Sequence, residues 1–387
     1  MNLRFIYILF VLTAWLPLRA VAQNNGVIYQ ITATEYNALV DLYASTSGVS
    51  WRNSSGWTDP NATSWFRVTI SGVQYDGSGN VLVPGHVVSI VLGNNRLIGN
   101  ISTNLDDLSQ LTNLDLSVNQ LAGTIPDSLG NLSQLQSLHL PFNSLTGSIP
   151  AGLGNLSPLQ SLDLSQNELT GCIPASLGNL SQLQNLSLNQ NALTGPVPTA
   201  LGGLSQLINL ELDDNLLTGS IPGTFGNLSQ LQSLGLSGNH LSGIIPATLG
   251  NLSHLGILDL QNTLVSGDVP DFTTFTNVTL NINGNYLNIK AGSQSLANIN
   301  AMIAAGNTVI YVPQYDTYVV VTVDPTSRFG FYIAGPSSVP ITVRASTNLA
   351  STTWTTVQSC TLTNGSIHFS DPQWTNYPSR FYRVSSP

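Results

Sequence analysis

The chain has 387 residues, of which 42% are hydrophobic and only 7% are charged, and its formal net charge is -9. Ordinary globular domains have roughly 25% charged residues, so Asn, Ser, Thr, Gln and Gly must supply the polar surface here. The ten Lys and Arg residues form no basic stripe, which argues against a nucleic-acid partner.

The amino end has the pattern of a secretory signal peptide. Arg4 precedes an apolar stretch from Phe5 to Leu18, and Ala20-Val21-Ala22 is a small-residue cleavage site. The apolar stretch is shorter than the ~20 residues needed to span a bilayer. We therefore expect residues 1–22 to be removed. The mature chain should have no transmembrane segment and be secreted or associated with the cell surface.

Residues 23–86 predict one helix and a small aromatic core. Glu35 to Tyr43 has the pattern of a helix, and Trp51, Trp57 and Trp65 follow it. We expect the three indole rings to be buried against one another, because large aromatic side chains dominate small cores. An exposed platform for sugars is the alternative.

From residue 95 onward, one residue type recurs at a fixed interval of 24. The column is Asn95, Asn119, Asn143, Asn167, Asn191, Asn215 and Asn239, and Thr263 takes the eighth position. Such a period is the signature of a solenoid. Each coil contains an alternation such as Leu138-His139-Leu140, which predicts a short strand, and about nine such strands should stack ~4.8 Å apart as a parallel sheet.

Other columns predict how the coils pack. Two leucine columns should face inward, because no single coil can bury its own leucines and each must be covered by its neighbours. An asparagine amide has enough donors and acceptors to satisfy its own loop and the next coil. Columns of Gly and Pro predict extended segments and short 3₁₀ turns on the convex side. The leucine columns are Leu116, Leu140, Leu164, Leu188, Leu212, Leu236 and Leu260, and Leu111, Leu135, Leu159, Leu183, Leu207, Leu231 and Leu255.

The regular stack is expected to end near Thr263, since the next frame, at Asn285, comes two residues early. A helix from Ser295 to Gly306 and a strand from Asn307 to Pro313 are predicted next. Four further strands are predicted in the tail: Tyr318–Val323, Arg328–Ile333, Ile341–Ala345 and Arg380–Val384. Cys172 and Cys360 belong to different modules and are predicted to be unpaired, with a bridge as the alternative if the tail folds back.

The repeated frame Leu-x-x-Leu-x-Leu-x-x-Asn-x-Leu-x-Gly-x-Ile-Pro-x-x-Leu-Gly-Asn-Leu resembles the plant-type leucine-rich repeat. The resemblance covers about residues 87–286. It implies an α/β solenoid dominated by β-structure, a curved right-handed horseshoe with a parallel concave sheet. It also implies a helical N-terminal cap at residues 23–86 and a C-terminal cap at 287–315.

The resemblance departs from plant members in one respect. Their caps usually carry paired cysteines near the positions of Ala62 and Ile70, and this cap has none. It is therefore similar to the cysteine-free version in secreted bacterial proteins. Residues 316–387 resemble the small β-sandwich tails of such proteins, for which attachment to a surface is a hypothesis.

The sequence carries no catalytic signature. The five histidines share no metal-ligand spacing with cysteine or carboxylate, and there is no H-E-x-x-H, G-x-S-x-G, phosphate-binding or dinucleotide-binding motif. We expect no enzymatic activity, cofactor or metal site, with a divalent cation on the acidic coil as a minor alternative.

The candidate binding site is the concave face, where residues flanking the strand leucines vary while the frame stays constant. Glu211, Asp213 and Asp214 give one coil three carboxylates, while His139 and Phe142 form an aromatic patch toward the amino end. We expect a protein or peptide ligand with a basic element over the acids and an apolar side chain near Phe142. The full candidate set is Asp115, His139, Phe142, Asp163, Gln190, Glu211, Asp213, Asp214 and Asp259.

Three alternatives remain open at this point. The resemblance to plant inhibitor proteins implies polysaccharide binding or inhibition of a wall-degrading enzyme. The ladder Thr146, Thr170, Thr194 and Thr218 is compatible with an ice-binding surface. The concave face could also be a solvated polar wall without an evolved partner.

Overall fold

The structure, a computed structural model, describes most of the repeats and parts of the two ends. The described residues are 22–24, 27–29, 31–57, 65–72, 74–75, 81–83, 85–289, 292–311, 320–323, 330–334, 340–346, 355–361, 366–370 and 381–385. The predicted signal peptide lies outside them except for Ala22, which begins the strand Ala22–Asn24, paired antiparallel with Val27–Tyr29. No helix in the described part of the chain has the length and apolar character that crossing a membrane requires.

One 11-stranded sheet runs through the solenoid. Its parallel strands are Val87–Val91, Asn113–Asp115, Ser137–His139, Ser161–Asp163, Asn185–Ser187, Asn209–Glu211, Ser233–Gly235, Ile257–Asp259, Thr279–Asn281 and Thr308–Ile310. Each is called a rung below. Val68–Ile70 adds an antiparallel strand at the amino end. The parallel sheet and repeated coils confirm the predicted solenoid fold.

The other side of each coil is made of extended segments and 3₁₀ helices, as predicted. The 3₁₀ helices of the repeats are Thr103–Asp107, Asp127–Asn131, Ala151–Asn155, Ala175–Asn179, Thr199–Gly203, Gly223–Asn227 and Ala247–Asn251. Pro126 and its equivalents precede six of them with φ near −65°, the angle that the pyrrolidine ring imposes. Gly123 and its equivalents have positive φ, as at Gly147 with 77°.

Lateral strands join the sheet face to the 3₁₀ side. They are Ile98–Asn100, Gln120–Ala122, Thr146–Ser148, Glu168–Cys172, Ala192–Pro196, Leu216–Thr218, Ser242–Ile244, Leu264–Gly267 and Tyr286–Leu287. Those from Thr146 to Thr218 form a four-stranded parallel sheet. Each coil is thus enclosed on three sides.

The leucine columns form a continuous spine between these walls. Every leucine of the two predicted columns is buried, and the most exposed of them, Leu255, is 4% accessible. Burying one such side chain stabilises the fold by roughly 1.5–3 kcal/mol. Because the cover comes from adjacent coils, the stability of each coil depends on its neighbours.

The asparagine column binds each coil to the one before it. The Asn167 Nδ2 group donates to the carbonyl of Leu164 in its own loop at 3.2 Å and to that of Leu140 in the preceding coil at 3.0 Å. Its Oδ1 accepts the Leu145 N–H at 3.0 Å. The prediction that each asparagine bonds to the following coil is therefore wrong, because the Asn167 side chain bonds to the coil that precedes it in the sequence.

The break at Thr263 does not end the sheet. Asp259 pairs in register with Asn281, and Asn281 pairs with Ile310. The two missing residues are absorbed opposite the sheet, where the coil between Gly267 and Thr279 contains no 3₁₀ helix. The strands of the sheet stay in register because the two residues are lost from the segment opposite the sheet and not from the strands themselves.

Two helices flank the stack. The first, α1 (Ala33–Ser45), begins with a capping box between Thr32 and Glu35, and the second is α2 (Gln294–Ala304). Trp51, Trp57 and Trp65 are buried, which confirms the predicted aromatic core, and Trp51 and Trp57 pack edge to face with centroids 4.8 Å apart.

The described tail strands form two antiparallel three-stranded sheets. Their bounds are Val320–Val323, Gly330–Ala334, Pro340–Ser346, Thr355–Thr361, Ser366–Ser370 and Phe381–Ser385. The four predicted strands are present, and those starting at Thr355 and Ser366 were not predicted. Cys360 and Cys172 are both free thiols.

Replacing one column asparagine should destabilise the chain measurably. Asn167→Ala leaves the Leu145 N–H without its acceptor and removes one of the donors to each of the Leu140, Leu164 and Ser165 carbonyls, and an unpaired buried group costs about 1–3 kcal/mol before water compensates. We expect a loss of about 3 kcal/mol in urea denaturation. Asn155→Ala, an exposed asparagine on the 3₁₀ side, is the matched control and should change stability by less than about 0.5 kcal/mol. Equal losses would contradict the proposed role of the column.

Candidate functional site

Five of the predicted site residues lie in one row across the concave face. In-register pairing joins Val91, Asp115, His139, Asp163, Ser187, Glu211, Gly235, Asp259 and Asn281 in that order. Neighbouring strands are ~4.8 Å apart, so Asp163 and Asp259 each lie about 10 Å from Glu211 along the row.

The acidic group consists of Glu211, Asp213 and Asp214. Glu211 and Asp213 lean over Gly235 on the next rung, where an added Cβ would collide with Glu211 Oε2 and Asp213 Oδ2. Gly238 accommodates Asp214 Oδ1 in the same way. These glycines therefore provide the space in which the carboxylates approach one another.

Serine hydroxyls hold the two inner carboxylates. Ser233 Oγ donates to Glu211 Oε1 at 2.7 Å, and the Ser237 N–H and Oγ donate to Asp213 Oδ1 at 2.8 and 2.7 Å. In the coils of Asp115, Asp163 and Asp259, the row aspartate accepts the N–H equivalent to that of Ser237. Gly235 stands where these coils have the aspartate, so the Ser237 N–H is accepted instead by Asp213 of the preceding coil.

The electrostatics of the group follow from its burial. Burial raises the pKa of Glu211 to about 7, and the adjacent Asp213 and the more distant Asp259 act in the same direction, while the hydrogen bond from Ser233 opposes them. Burial also raises the pKa of Asp259. The protonated form of Glu211 therefore persists to higher pH than that of a solvent-exposed glutamate.

The aspartates of the row have a local structural use. Asp115 Oδ1 accepts the Ser117 N–H at 2.9 Å, Asp163 Oδ1 accepts that of Ser165 at 3.0 Å, and Asp259 Oδ1 accepts that of Gln261 at 2.9 Å. These are turns of the Asx type. One oxygen of each is committed to the turn, which leaves Glu211 and Asp214 as carboxylates without such a bond.

The aromatic patch divides into two parts. The His139 ring is held by serines, with Nε2 3.2 Å from Ser137 Oγ and 2.9 Å from Ser161 Oγ. Phe142 is 51% exposed, and Val118, one rung earlier, is 48% exposed. Val118 is not among the candidates predicted from the sequence, although it precedes Phe142 by one repeat. Val118 and Phe142 are called the apolar pair below.

The apolar pair has an unfavourable backbone conformation. Val118 and Phe142 have φ of 55° and 56°, and Gln190 and Asp214 in the same column have 56° and 51°. A β-branched residue in the left-handed region is a genuine outlier. The column favours Gly or Asn, so the scaffold itself does not select the valine and phenylalanine.

The structure brings some candidates together and leaves others apart. Asp213 and Asp214 are near enough to Asp259 to raise its pKa. Exposed Gln190 lies beside this group, since its N–H donates to the Asp213 carbonyl at 2.9 Å. Phe142 is three rungs from Glu211, about 14 Å. No group of three or more metal-ligating side chains surrounds a common point within the described residues.

The threonine ladder of the lateral sheet is staggered. Thr170 pairs with Ser148 on one side and Ala192 on the other, and Thr194 pairs with Cys172. The register shifts by two residues per coil, so the four threonines do not face one another across strands. The hydroxyls form an oblique series interrupted by Cys172.

Family models match the repeat region. Residues 133–193, 181–241 and 205–265 match one model of the leucine rich repeat, and residues 110–132 match another. Residues 110–265 are leucine-rich repeats. None of the curated proteins compared with the chain matches its sequence.

Solved leucine-rich repeat structures resemble this chain. The crystal structure of PEPR1-AtPEP1 has 30% sequence identity and a TM-score of 0.58, covering 70% of this chain and 37% of that one. The ectodomain of the plant membrane receptor kinase GASSHO1/SCHENGEN3 from Arabidopsis thaliana, in complex with CASPARIAN STRIP INTEGRITY FACTOR 2, has 33% identity and a TM-score of 0.52, covering 65% and 33%. The chain thus spans about a third of the length of these relatives.

A plant ice-binding protein is also similar, with 25% identity, a TM-score of 0.49 and coverage of 73% of this chain and 97% of that one. This likeness is too distant to separate one function of the leucine-rich repeat from another.

Glu211 should make the stability of the repeats depend on pH. Its folded-state pKa lies above the ordinary value of 4.5, so folding favours the protonated carboxyl. That contribution is complete below pH 4.5 and is lost as pH rises through about 7. Relative to wild type, Glu211→Gln should therefore gain stability in urea denaturation between pH 4.5 and 8.

Ser233→Ala provides a second test of the same titration. It removes a hydrogen bond that lowers the Glu211 pKa, so the transition should move to higher pH. Parallel pH profiles for wild type and Glu211→Gln would show that the carboxyl is not titrating in this range.

Proposed function

We propose that the chain is an extracellular recognition protein that binds a protein or peptide ligand on the concave face of its leucine-rich repeats. The observation that carries the proposal is a pair of features on one open wall: the acidic group and the exposed apolar pair, about three rungs apart. A basic side chain of the ligand lies over Glu211, Asp213 and Asp214. An apolar side chain contacts Val118 and Phe142.

The apolar pair supports binding because it does not contribute to the stability of the folded repeats. Both side chains are about half exposed, so they bury little area in the free chain, and both hold left-handed backbone at a cost. Residues that lower stability without filling the core are typical of functional surfaces. A ligand that covers them would gain the hydrophobic contribution that folding leaves unused.

The acidic group supports a basic partner for a similar reason. Its carboxylates crowd one another, and burial raises the pKa of Glu211. A cation placed between them would relieve the repulsion and favour the ionised form of Glu211. Affinity should therefore increase with pH through about 7.

The similar solved structures support a partner of this class. One is a leucine-rich repeat ectodomain in complex with CASPARIAN STRIP INTEGRITY FACTOR 2 and another is PEPR1-AtPEP1. We extend to this chain the use of the repeat as a binding surface and an extracellular location. The cysteine-free cap suggests the version of the fold found in secreted bacterial proteins, and the tail at residues 316–387 suggests attachment to a surface.

The other functions have less support. Trp51, Trp57 and Trp65 are buried in the cap and do not offer a platform for sugar rings, which disfavours a polysaccharide partner. The wall-enzyme-inhibiting role rests on resemblance alone. The stagger of Thr170 and Thr194 disfavours an ice-binding surface, which needs straight rows of hydroxyls. No catalytic role is proposed.

The proposal is tested by capture from extracellular material with the immobilised chain. The triple variant Glu211→Gln/Asp213→Asn/Asp214→Asn should lower the affinity for the captured partner at least tenfold, since several desolvated charge contacts are lost together. The control, Asp107→Asn/Asp127→Asn/Asp271→Asn, removes the same charge from exposed side chains outside the concave face. Equal effects of the two triples would reject the concave face as the site.

The apolar pair gives a second prediction, in which stability and binding change in opposite directions. Asparagine tolerates left-handed backbone, so Val118→Asn/Phe142→Asn should raise the free energy of unfolding by up to about 1 kcal/mol while weakening the captured complex. Gln166→Asn, in the same column with φ of 53°, relieves similar strain without removing an apolar side chain. It should stabilise without loss of affinity. Calorimetry of unfolding and of binding measures both effects.

A further inference from the structure

The charges of the solenoid are segregated along its length. Between residues 97 and 289 the sequence contains no Lys or Arg, and its charged residues there are all Asp or Glu. The nearest positive charges before this stretch are Arg52, Arg67 and Arg96, called the arginine group below. Residues 23–96 carry these three arginines together with four acidic residues, so the amino end has both signs of charge, whereas residues 97–289 have only acidic ones.

Arg67 belongs to the concave face. Its carbonyl accepts the Val91 N–H at 3.0 Å, one step beyond the pair between Val68 and Ile90. Because Ile90 is fully buried, the alternation of the strand places Val91 on the open side. Arg67 precedes the strand Val68–Ile70 with left-handed backbone, and its guanidinium reaches the same side because it contacts Gly93, whose Cα faces the Asp115 and Ser117 side chains. Arg67 thus extends the row that contains Asp115 and Glu211.

The Arg67 side chain turns toward the first coil. Its Nη1 donates to the Gly93 carbonyl at 3.0 Å, and its guanidinium lies 5.2 Å from the centre of the Phe66 ring. These two contacts direct the guanidinium over the first parallel rung. The side chain is exposed, so donors remain that could reach a ligand.

The other two arginines meet at the same loop. The Arg52 N–H donates to the Asn95 carbonyl at 2.9 Å, and Arg96 is the next residue. Both side chains are exposed. Arg67 and Arg96 have φ of 58° and 59°, so two arginines occupy backbone positions that favour glycine or asparagine. Within the described residues, none of the three forms an ion pair with a carboxylate.

We propose that the arginine group is an anion-binding subsite for the same ligand whose basic group lies over Glu211, Asp213 and Asp214. This rests on the proposed function and adds the polarity of the ligand: an extended peptide with a carboxylate at the amino end of the solenoid and a cation further along. Guanidinium groups bind carboxylates through paired N–H donors. The neighbouring Asp115 disfavours a second anion deeper in the row, which confines the carboxylate to the end of the face.

Rung spacing sets the length of the ligand. The rung next to Arg67 and the rung of Glu211 are five steps apart, about 24 Å, and an extended chain covers that distance in about seven residues. Phe142 stands two steps from the first of these rungs and three from the second. The apolar side chain of the ligand therefore lies about three residues from the carboxylate and four from the cation.

The test uses defined octapeptides and the full chain. The probe is acetylated and amidated, with arginine first, leucine fifth, aspartate eighth, and serine or glycine elsewhere. A second peptide has asparagine eighth. A third has that asparagine with a free terminal carboxylate, which separates a side-chain carboxylate from a chain end. A fourth has the reversed order, which covers the opposite chain direction.

Affinities are measured by calorimetry at low salt. Arg67→Gln should weaken the aspartate probe about two- to fivefold, the effect of one exposed charge pair, and leave the asparagine probe unchanged. Mutating all three arginines to Gln should weaken it further. Arg67→Lys should retain most of the affinity. Arg344→Gln, an exposed arginine in the tail strand Pro340–Ser346, should have no effect.

The outcomes separate this proposal from the proposed function. If Glu211→Gln/Asp213→Asn/Asp214→Asn weakens the probe but Arg67→Gln does not discriminate aspartate from asparagine, the anion subsite is wrong and the concave site stands. If no octapeptide binds at about 1 mM, both are rejected for peptides. If the arginine variants instead abolish self-association in sedimentation, a second copy of the chain occupies the subsite, and the proposal is overturned.

Discussion

The contact between successive coils is the constraint on which the rest of this molecule depends. A coil of 24 residues buries little on its own, and its leucines are covered only when the coils on both sides are present. The asparagine column adds direction to this stack, because each amide closes its own loop and bonds to the preceding coil. Asn167 does so with hydrogen bonds of 3.0 to 3.2 Å. The side chains that point into the solenoid therefore serve to hold the coils together.

The same commitment leaves the concave face open to variation. Side chains that flank Leu138 or Leu210 do not enter the spine, so a change there alters the wall and leaves the stack intact. Two kinds of deviation stand out on this wall. Crowded carboxylates at Glu211 and Asp213 sit over a glycine, and apolar side chains at Val118 and Phe142 hold left-handed backbone. Both lower the stability of the free chain, and both would be relieved by a ligand of opposite character.

The charge distribution gives this wall a direction. Arg67 stands at one end of the row and Glu211 six strands further along it. Of the ten Lys and Arg residues of the chain, three meet at the loop that begins the repeats, and none lies between residues 97 and 289. Two charged ends with an apolar pair between them define the order of groups on a ligand. Such an order would distinguish a peptide from its reversed sequence.

The sequence by itself determined the solenoid, the buried leucines, the 3₁₀ side of each coil and the rows to which the candidate residues belong. These follow from periodicity, because identical side chains at a fixed interval must share one environment. Tertiary structure decided what periodicity does not contain. The amide of Asn167 points to the preceding coil, Gly235 lets two carboxylates meet, and Arg67 enters the concave row through an antiparallel strand outside the repeat. The left-handed backbone at Val118 is likewise set by the loop that joins the coils. The sequence does not reveal that this column favours glycine and disfavours valine, because the backbone angle is known only from the structure.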